Sequence, residues 1–208
     1  LLAMVADDAL CVGAEVVSIT NTLDVPSVDP EIVNKLTKGL AKVCKEQKIV
    51  IPGGEIAELG DSLNKMVWNA TAVGIVKKEK FLTGKSVRGG QKIIGLKGNV
   101  LRSNGFSLAR KICESHFGNK WHDTKWNESE TWGEVLLTPS KIFHRLVIEN
   151  ILGEFEAEPL HIVNGIVHIT GGGIPGNIRR IFPEESIGAF FDNLHEPHEA
   201  LKTLKTLG

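Results

Sequence analysis

The order of structural signals in residues 15–77 constrains the fold most strongly. A β-branched run over residues 15–22 (EVVSITNT) predicts a strand. An Asp-Pro pair and apolar residues at helical spacing then predict an amphipathic helix over residues 30–47. Apolar runs at residues 49–51 and 70–77 predict two more strands. The order strand, helix, strand, strand predicts an α/β fold with helices packed on one sheet.

The rest of the chain carries the same two kinds of signal. Further strands are predicted at residues 92–96 and 161–169, and further helices at residues 1–12, 105–115, 138–153 and 195–206. Trp121, Trp126 and Trp132 stand among polar residues, which predicts a surface excursion. A second region of α/β character is therefore expected.

A polar, glycine-bearing stretch at residues 78–91 is the predicted domain boundary. We expect an N-terminal domain at residues 1–82 and a C-terminal α/β domain at residues 83–208. The apolar strands of the first domain are too many for one amphipathic helix to cover. This predicts that its small sheet pairs with a second copy in a homodimer.

The charge balance and the cysteines exclude several classes of protein. With 24 basic and 25 acidic side chains, the chain lacks the positive excess typical of a nucleic-acid-binding surface. No apolar run approaches the roughly 20 residues that span a bilayer, so no membrane partner is expected. Cys11, Cys44 and Cys113 form no C-x-x-C pair. That argues against a zinc site or a disulfide framework and predicts a reducing, cytoplasmic location.

Adjacent carboxylates, Asp7 and Asp8, lie within the mostly apolar helix predicted at residues 1–12. Burying both without partners is costly, and adjacent helical residues point in different directions. One interpretation makes Asp8 a magnesium ligand, because hard cations prefer carboxylate oxygens. The alternative is a solvated helix face.

Glycines, 22 in all, are clustered. Gly53 and Gly54 follow a predicted buried strand and precede Glu55. A glycine turn at the end of a strand lets backbone N–H groups approach phosphate, and the acid is then placed to hold a metal. The alternative is a plain turn with a surface glutamate.

A second cluster, Gly171–Gly173, follows the strand predicted at residues 161–169 and precedes a short helix. Its N–H groups and Arg180 suit a phosphate group, with Arg179 as the fallback, whereas a flexible connector is the alternative. Neither a Walker pattern nor GxGxxG spacing is present. Before an earlier predicted helix, Ser103 or Asn104 is expected to serve as the N-cap.

Taken in order, five blocks resemble the phosphoribosylformylglycinamidine cyclo-ligase family, the aminoimidazole ribonucleotide synthetases of purine biosynthesis. They are AMVADDALCVGAE, IPGGEIAE, LRSNGFSLARK, LLTPSKIF and HITGGGIPGNIRR. The resemblance implies a two-domain α/β homodimer that uses ATP and magnesium, with Asp8 and Glu55 at the metal. The implied reaction phosphorylates the formyl oxygen of formylglycinamidine ribonucleotide, after which an amidine nitrogen closes the imidazole ring. The resemblance identifies no catalytic residue.

The same blocks lead us to assign further residues to ligands. ATP or phosphate binding is assigned to Gly53, Gly54, Gly171, Gly172, Gly173 and Arg180. Substrate binding is assigned to Ser103, Asn104, His168, Thr170 and Asn177.

Alternative functions remain open at this point. Sister families share the scaffold, namely formylglycinamidine ribonucleotide synthetase, selenophosphate synthetase, thiamine-monophosphate kinase and a hydrogenase-maturation protein. A family segment, D-G-V-G-T-K, would precede Leu1, and a second glycine block would follow Gly208, so we expect a fragment. A non-catalytic dimerising fragment is the competing class.

Overall fold

Two compact units make up the computed structural model, which describes residues 1–208. Unit 1 consists of Leu1–Val87, Ile142–His168 and Arg180–Pro183. Unit 2 consists of Arg88–Lys141, Ile169–Arg179 and Glu184–Gly208. The single boundary between residues 82 and 83 stays a prediction. None of the helices combines the length and the apolar character that a membrane span requires.

Unit 1 contains a mixed three-stranded sheet and its helices. Its elements are α1 (Leu2–Leu10), β1 (Glu15–Val25), α2 (Pro30–Glu46), β2 (Val50–Glu58), β3 (Val67–Ile75) and α5 (His144–Val147), which a π-helical turn (Ile148–Leu152) extends. The strand order is β2-β1-β3, with β1 parallel to β2 and antiparallel to β3. The predicted mixed α/β class is confirmed, and so are α1, β1 and α2.

Helices α1 and α2 pack against the central strand and form the main core of unit 1. Its buried members are Leu2, Ala6, Val16, Ile19, Leu40, Cys44 and Ile49. Helix α2 begins where the sequence predicts, because the Asp29 side chain accepts hydrogen bonds from the N–H groups of Glu31 and Ile32. Burial of this apolar set is the main stabilising contribution to unit 1.

Strand β2 differs from its prediction. It runs from Val50 through Gly53 and Gly54 to Glu58, and nearly all of it is exposed. The interpretation of a buried strand that ends in a glycine turn is therefore wrong. The physical reason is that backbone pairing with β1 continues through the glycines, as the partners Thr20 and Gly53 show.

Unit 2 is built from helices. They are α3 (Phe106–Phe117), α4 (Trp132–Leu136), α6 (Gly173–Ile178) and α7 (Glu199–Leu207). The core consists of Ala109, Cys113, Trp132, Val135, Leu136, Ala200 and Leu204, with Trp121 and Trp126 packed against it. The predicted surface excursion is wrong for Trp132, which is 2% exposed, since its large apolar area fills this core.

The strands predicted at residues 92–96 and 161–169 are absent. All three strands of the chain lie in unit 1. An apolar run becomes a strand only where another strand completes its backbone hydrogen bonds, and neither run pairs with one. Ile94, for example, is 84% exposed.

Helix α5 begins later than predicted, at His144 rather than near Thr138. The Asp7 carboxylate on α1 accepts hydrogen bonds from the backbone N–H groups of Phe143, at 3.0 Å, and His144, at 2.8 Å. A helix start leaves N–H groups without intrahelical partners, and a carboxylate is a strong acceptor for them. Asp7 therefore caps α5 from another helix.

The His144 ring completes this contact. It is fully buried, and its Nε2 accepts a hydrogen bond from the Val16 N–H at 2.8 Å. Burial lowers the pKa of His144, with smaller opposing effects from the charges of Asp7 and Glu15. A neutral ring is what this acceptor role requires. Asp7 and His144 together join α1, β1 and α5.

We expect Asp7→Ala to destabilise the protein by about 2–4 kcal/mol, because two backbone donors at a helix start lose their charged acceptor. Urea unfolding followed by circular dichroism measures the change. The matched control is Asp61→Ala, which removes an exposed carboxylate elsewhere in unit 1 and should alter stability far less. Equal losses from the two substitutions would contradict the capping role of Asp7.

Candidate functional site

Asp8 directly follows Asp7 on α1 and points in a different direction, because adjacent residues of a helix do not share a face. Its side chain is 61% exposed, and its Oδ1 lies 2.7 Å from Nδ1 of His168. The His168 side chain is only 7% exposed, and its Nε2 is buried without a hydrogen-bond partner. Two of the predicted site residues are thus brought together, although 160 positions separate them in the sequence.

Cys11 lies next to this pair and is not among the site residues predicted from the sequence. Its Sγ contacts the backbone oxygen of Asp7 at 3.4 Å. Burial raises the pKa of the Cys11 thiol to about 11, and the negative charge of Asp8 raises it further. A backbone hydrogen bond from His168 and the positive charge of Arg180 both lower this pKa, but by less. Asp8, Cys11, His168 and Arg180 therefore share one neighbourhood in unit 1. The spacing of Asp8 and Cys11, three residues apart on a helix, was the available signal.

Hydrogen bonds from the residues on either side of the Gly171–Gly173 loop fix its conformation. Thr170 donates its hydroxyl hydrogen to Asn177 Oδ1 at 3.1 Å, and Asn177 Nδ2 donates to the Gly173 carbonyl at 2.7 Å. Asn177 is fully buried, and Gly173 has a φ of +63°. Thr170 and Asn177, assigned to substrate binding, fix the shape of the loop in this structure. Gly171 and Gly172 remain exposed.

Asn104 also lies beside this loop. A Cβ placed on Gly171 would come within 3.7 Å of Asn104 Nδ2. The prediction that Ser103 or Asn104 caps α3 is wrong, because Gly105 occupies the N-cap position, with a φ of +96° and no side-chain cap. Both Ser103 and Asn104 are exposed, so neither side chain is committed to the helix start.

Strand β2 carries Gly53, Gly54 and Glu55 at the edge of the sheet. A Cβ on Gly54 would lie 2.8 Å from the Asn21 backbone oxygen and 2.9 Å from its Nδ2. Asn21 is itself fixed, since its Oδ1 accepts a hydrogen bond from Trp68 Nε1 at 3.0 Å. By contrast, nothing lies within 4 Å of a Cβ on Gly53. Gly54 is therefore required by packing, whereas Gly53 leaves open space.

No group of three or more histidine, cysteine, aspartate or glutamate side chains is arranged to hold a metal ion by itself. Magnesium does not need such a cage, because it commonly binds one or two carboxylates together with substrate phosphates and water. The exposed carboxylates of Asp8 and Glu55 have the chemistry for that role.

Two family models match the chain in sequence order. Residues 1–76 match the N-terminal domain of AIR synthase related proteins, and residues 88–205 match the C-terminal domain. Among curated proteins, the phosphoribosylformylglycinamidine cyclo-ligase of Methanothermobacter thermautotrophicus is 33% identical over 207 residues. The protein of the same name from Methanocaldococcus jannaschii is 36% identical over 208 residues.

Both alignments cover 100% of this chain but only 59% and 57% of the relatives. The chain therefore spans less than two-thirds of the length of these proteins. Among solved structures, the hydrogenase maturation protein HypE in complex with ATP is 19% identical, with a TM-score of 0.39, over 43% of this chain and 27% of that chain. A likeness this low supports no argument about function.

We expect Gly54→Ala to lower the melting temperature by about 5 °C, because the new methyl group would collide with the backbone oxygen of Asn21. Gly53→Ala is the matched control on the neighbouring residue, and it should leave the melting temperature nearly unchanged. Differential scanning calorimetry makes the comparison. An equal effect of the two substitutions would contradict the packing argument.

Proposed function

Because the chain belongs to the AIR synthase related protein family, we propose that it carries out ATP-dependent closure of the imidazole ring in purine biosynthesis. The substrate would be formylglycinamidine ribonucleotide and the product aminoimidazole ribonucleotide. The observation that carries the proposal is the similarity of the whole chain to proteins named phosphoribosylformylglycinamidine cyclo-ligase. Both halves of the chain contribute to this similarity, since the two family models match in order.

The proposed reaction needs positioning and charge neutralisation more than a protein nucleophile. The formyl oxygen of the substrate attacks the γ-phosphoryl group of ATP, and ADP leaves. An amidine nitrogen then attacks the activated carbon, phosphate leaves, and a proton is lost as the ring closes. The thiol of Cys11 fits this view, because a pKa raised to about 11 keeps it protonated and a poor nucleophile near neutral pH.

We propose that Asp8 and Glu55 hold magnesium at the triphosphate. The support is chemical, since both are exposed carboxylates and their oxygens suit this cation. Bound magnesium would neutralise charge on the phosphates. Asp8 is the better supported of the two, because His168 already fixes one of its oxygens.

Phosphate groups of ATP or of the substrate are the proposed ligands of Gly53, Gly54, Gly171–Gly173 and Arg180. The exposed backbone of Gly171 and Gly172 supports their part, because it lets an anion approach closely. Arg180 is an exposed guanidinium, which suits bidentate phosphate binding. Arg179 is the fallback.

Substrate binding is proposed for Ser103 and Asn104, whose side chains are exposed. Thr170 and Asn177 would act by keeping the glycine loop in shape. We also propose a cytoplasmic location, which the three free cysteines support.

The direct test incubates the full-length protein with formylglycinamidine ribonucleotide, ATP and magnesium. A product that has lost the mass of one water, formed together with ADP, would support ring closure. Phosphorylation of thiamine monophosphate instead would favour a sister enzyme. Failure to consume any of these substrates would overturn the proposed activity.

We expect Asp8→Asn to lower kcat by about 10²–10³, because one preorganised charge at the metal is lost. The matched control is Asp61→Asn, which neutralises an exposed aspartate elsewhere in unit 1 and should keep wild-type turnover. Steady-state kinetics at saturating ATP measures the difference. Near-normal turnover of Asp8→Asn would reject the metal assignment.

We further propose a homodimer that forms through the sheet of unit 1. Strands β2 and β3 are the two edges of the sheet. They expose apolar side chains, including Val50 at 62% and Val73 at 53%. Edge strands with exposed apolar residues favour pairing with another chain.

Light scattering at micromolar concentration should report a dimer for the wild-type protein. Val73→Glu should shift the population to monomer, because a charge would be buried in the interface. The control, Leu108→Glu, changes an exposed leucine of α3 in unit 2 and should leave the dimer intact. A wild-type monomer would contradict this proposal without bearing on the ring closure.

A further inference from the structure

A buried histidine fixes the carboxylate that is proposed to hold the metal. Asp8 Oδ1 and His168 Nδ1 lie 2.7 Å apart. Because a carboxylate oxygen only accepts, the ring carries its proton on Nδ1 and donates it to Asp8. The second oxygen of Asp8 is left for another partner.

The other ring nitrogen of His168 has no competing role in this structure. Nε2 is buried and has no hydrogen-bond partner, and the whole side chain is only 7% exposed. The contact with Asp8 is therefore the polar function of the ring that the geometry supports.

A carboxylate at an exposed helix position is otherwise free to rotate. Asp8 is 61% exposed at its side chain, so its orientation depends on the contact with His168. Hydrogen bonds from outer groups commonly orient the carboxylates that bind metals, and loss of such a group typically costs about 10–100-fold in metal affinity or activity.

We propose that His168 is a positioning residue that orients the Asp8 carboxylate for magnesium–ATP through its Nδ1–H. This inference rests on the proposed function, because it takes Asp8 as the metal ligand. It gives His168 a role in addition to the substrate binding that the sequence predicts for it. It attributes the effect on magnesium–ATP binding to the Nδ1–H donor of His168, and not to the size or shape of the ring.

Three substitutions separate the donor from the ring. His168→Asn keeps an N–H donor at the position of Nδ1, His168→Leu removes the donor at similar size, and His168→Gln moves the amide one atom further away. The probe is Mn²⁺ with a non-hydrolysable ATP analogue. Its binding to the full-length protein is followed by electron paramagnetic resonance, without turnover.

We expect His168→Leu to weaken Mn²⁺ binding by about 10–100-fold, whereas His168→Asn stays close to wild type. In steady-state assays, His168→Leu should raise the KM for magnesium–ATP more than the KM for the other substrate. The double variant Asp8→Asn/His168→Leu should bind no more weakly than Asp8→Asn alone, because His168 acts through Asp8.

Wild-type binding by His168→Leu would overturn the inference, and so would an equal loss in His168→Asn and His168→Leu. Circular dichroism checks that each variant folds; if His168→Leu does not, His168→Gln takes its place in the comparison. A wild-type protein that binds no Mn²⁺–nucleotide would overturn the proposed function as well. If the wild-type protein and the His168→Leu variant bind Mn²⁺–nucleotide equally well, only the proposed role of His168 is overturned.

Discussion

The hydrogen bonds from the start of α5 to the Asp7 carboxylate are the contact on which unit 1 depends. They tie α5 to α1 across 136 and 137 positions of sequence. The His144 ring extends the link to β1 by accepting the Val16 N–H. Without this acceptor, two donors at a helix start would lose their partner inside a packed region. These hydrogen bonds attach the segment of residues 142–168 to α1 and β1 of unit 1.

The residue that follows Asp7 on α1, Asp8, belongs to the candidate site. Because Asp7 is held inside, α1 is fixed in rotation, and Asp8 faces a different direction. His168, which belongs to the same returning segment as α5, then meets Asp8. A structural carboxylate and a candidate functional carboxylate thus occupy adjacent positions, and the first determines where the second lies.

Local signals predicted part of this arrangement. Helix α2 and its Asp29 cap, strand β1 and helix α1 follow from residue spacing and capping chemistry, which act over a few positions. The strands predicted at residues 92–96 and 161–169 are absent, because an apolar run favours burial of a segment but does not indicate that a partner strand lies beside it. The start of α5 could not be predicted either, since its cap comes from Asp7 on a distant helix. The sequence pointed to Asp8 and His168 separately, but their contact depends on the path of an irregular segment.

Burial of the cysteines has a consequence for the chemistry of the protein as a whole. Cys44 and Cys113 lie in the two cores, and burial raises the pKa of both, as it does for Cys11. Thiols in this state react slowly with electrophiles and oxidants, because the thiolate is the reactive form. Each unit therefore carries a chemical reporter of its own integrity: alkylation of Cys44 would mark opening of the sheet core, and alkylation of Cys113 would mark opening of the helical core.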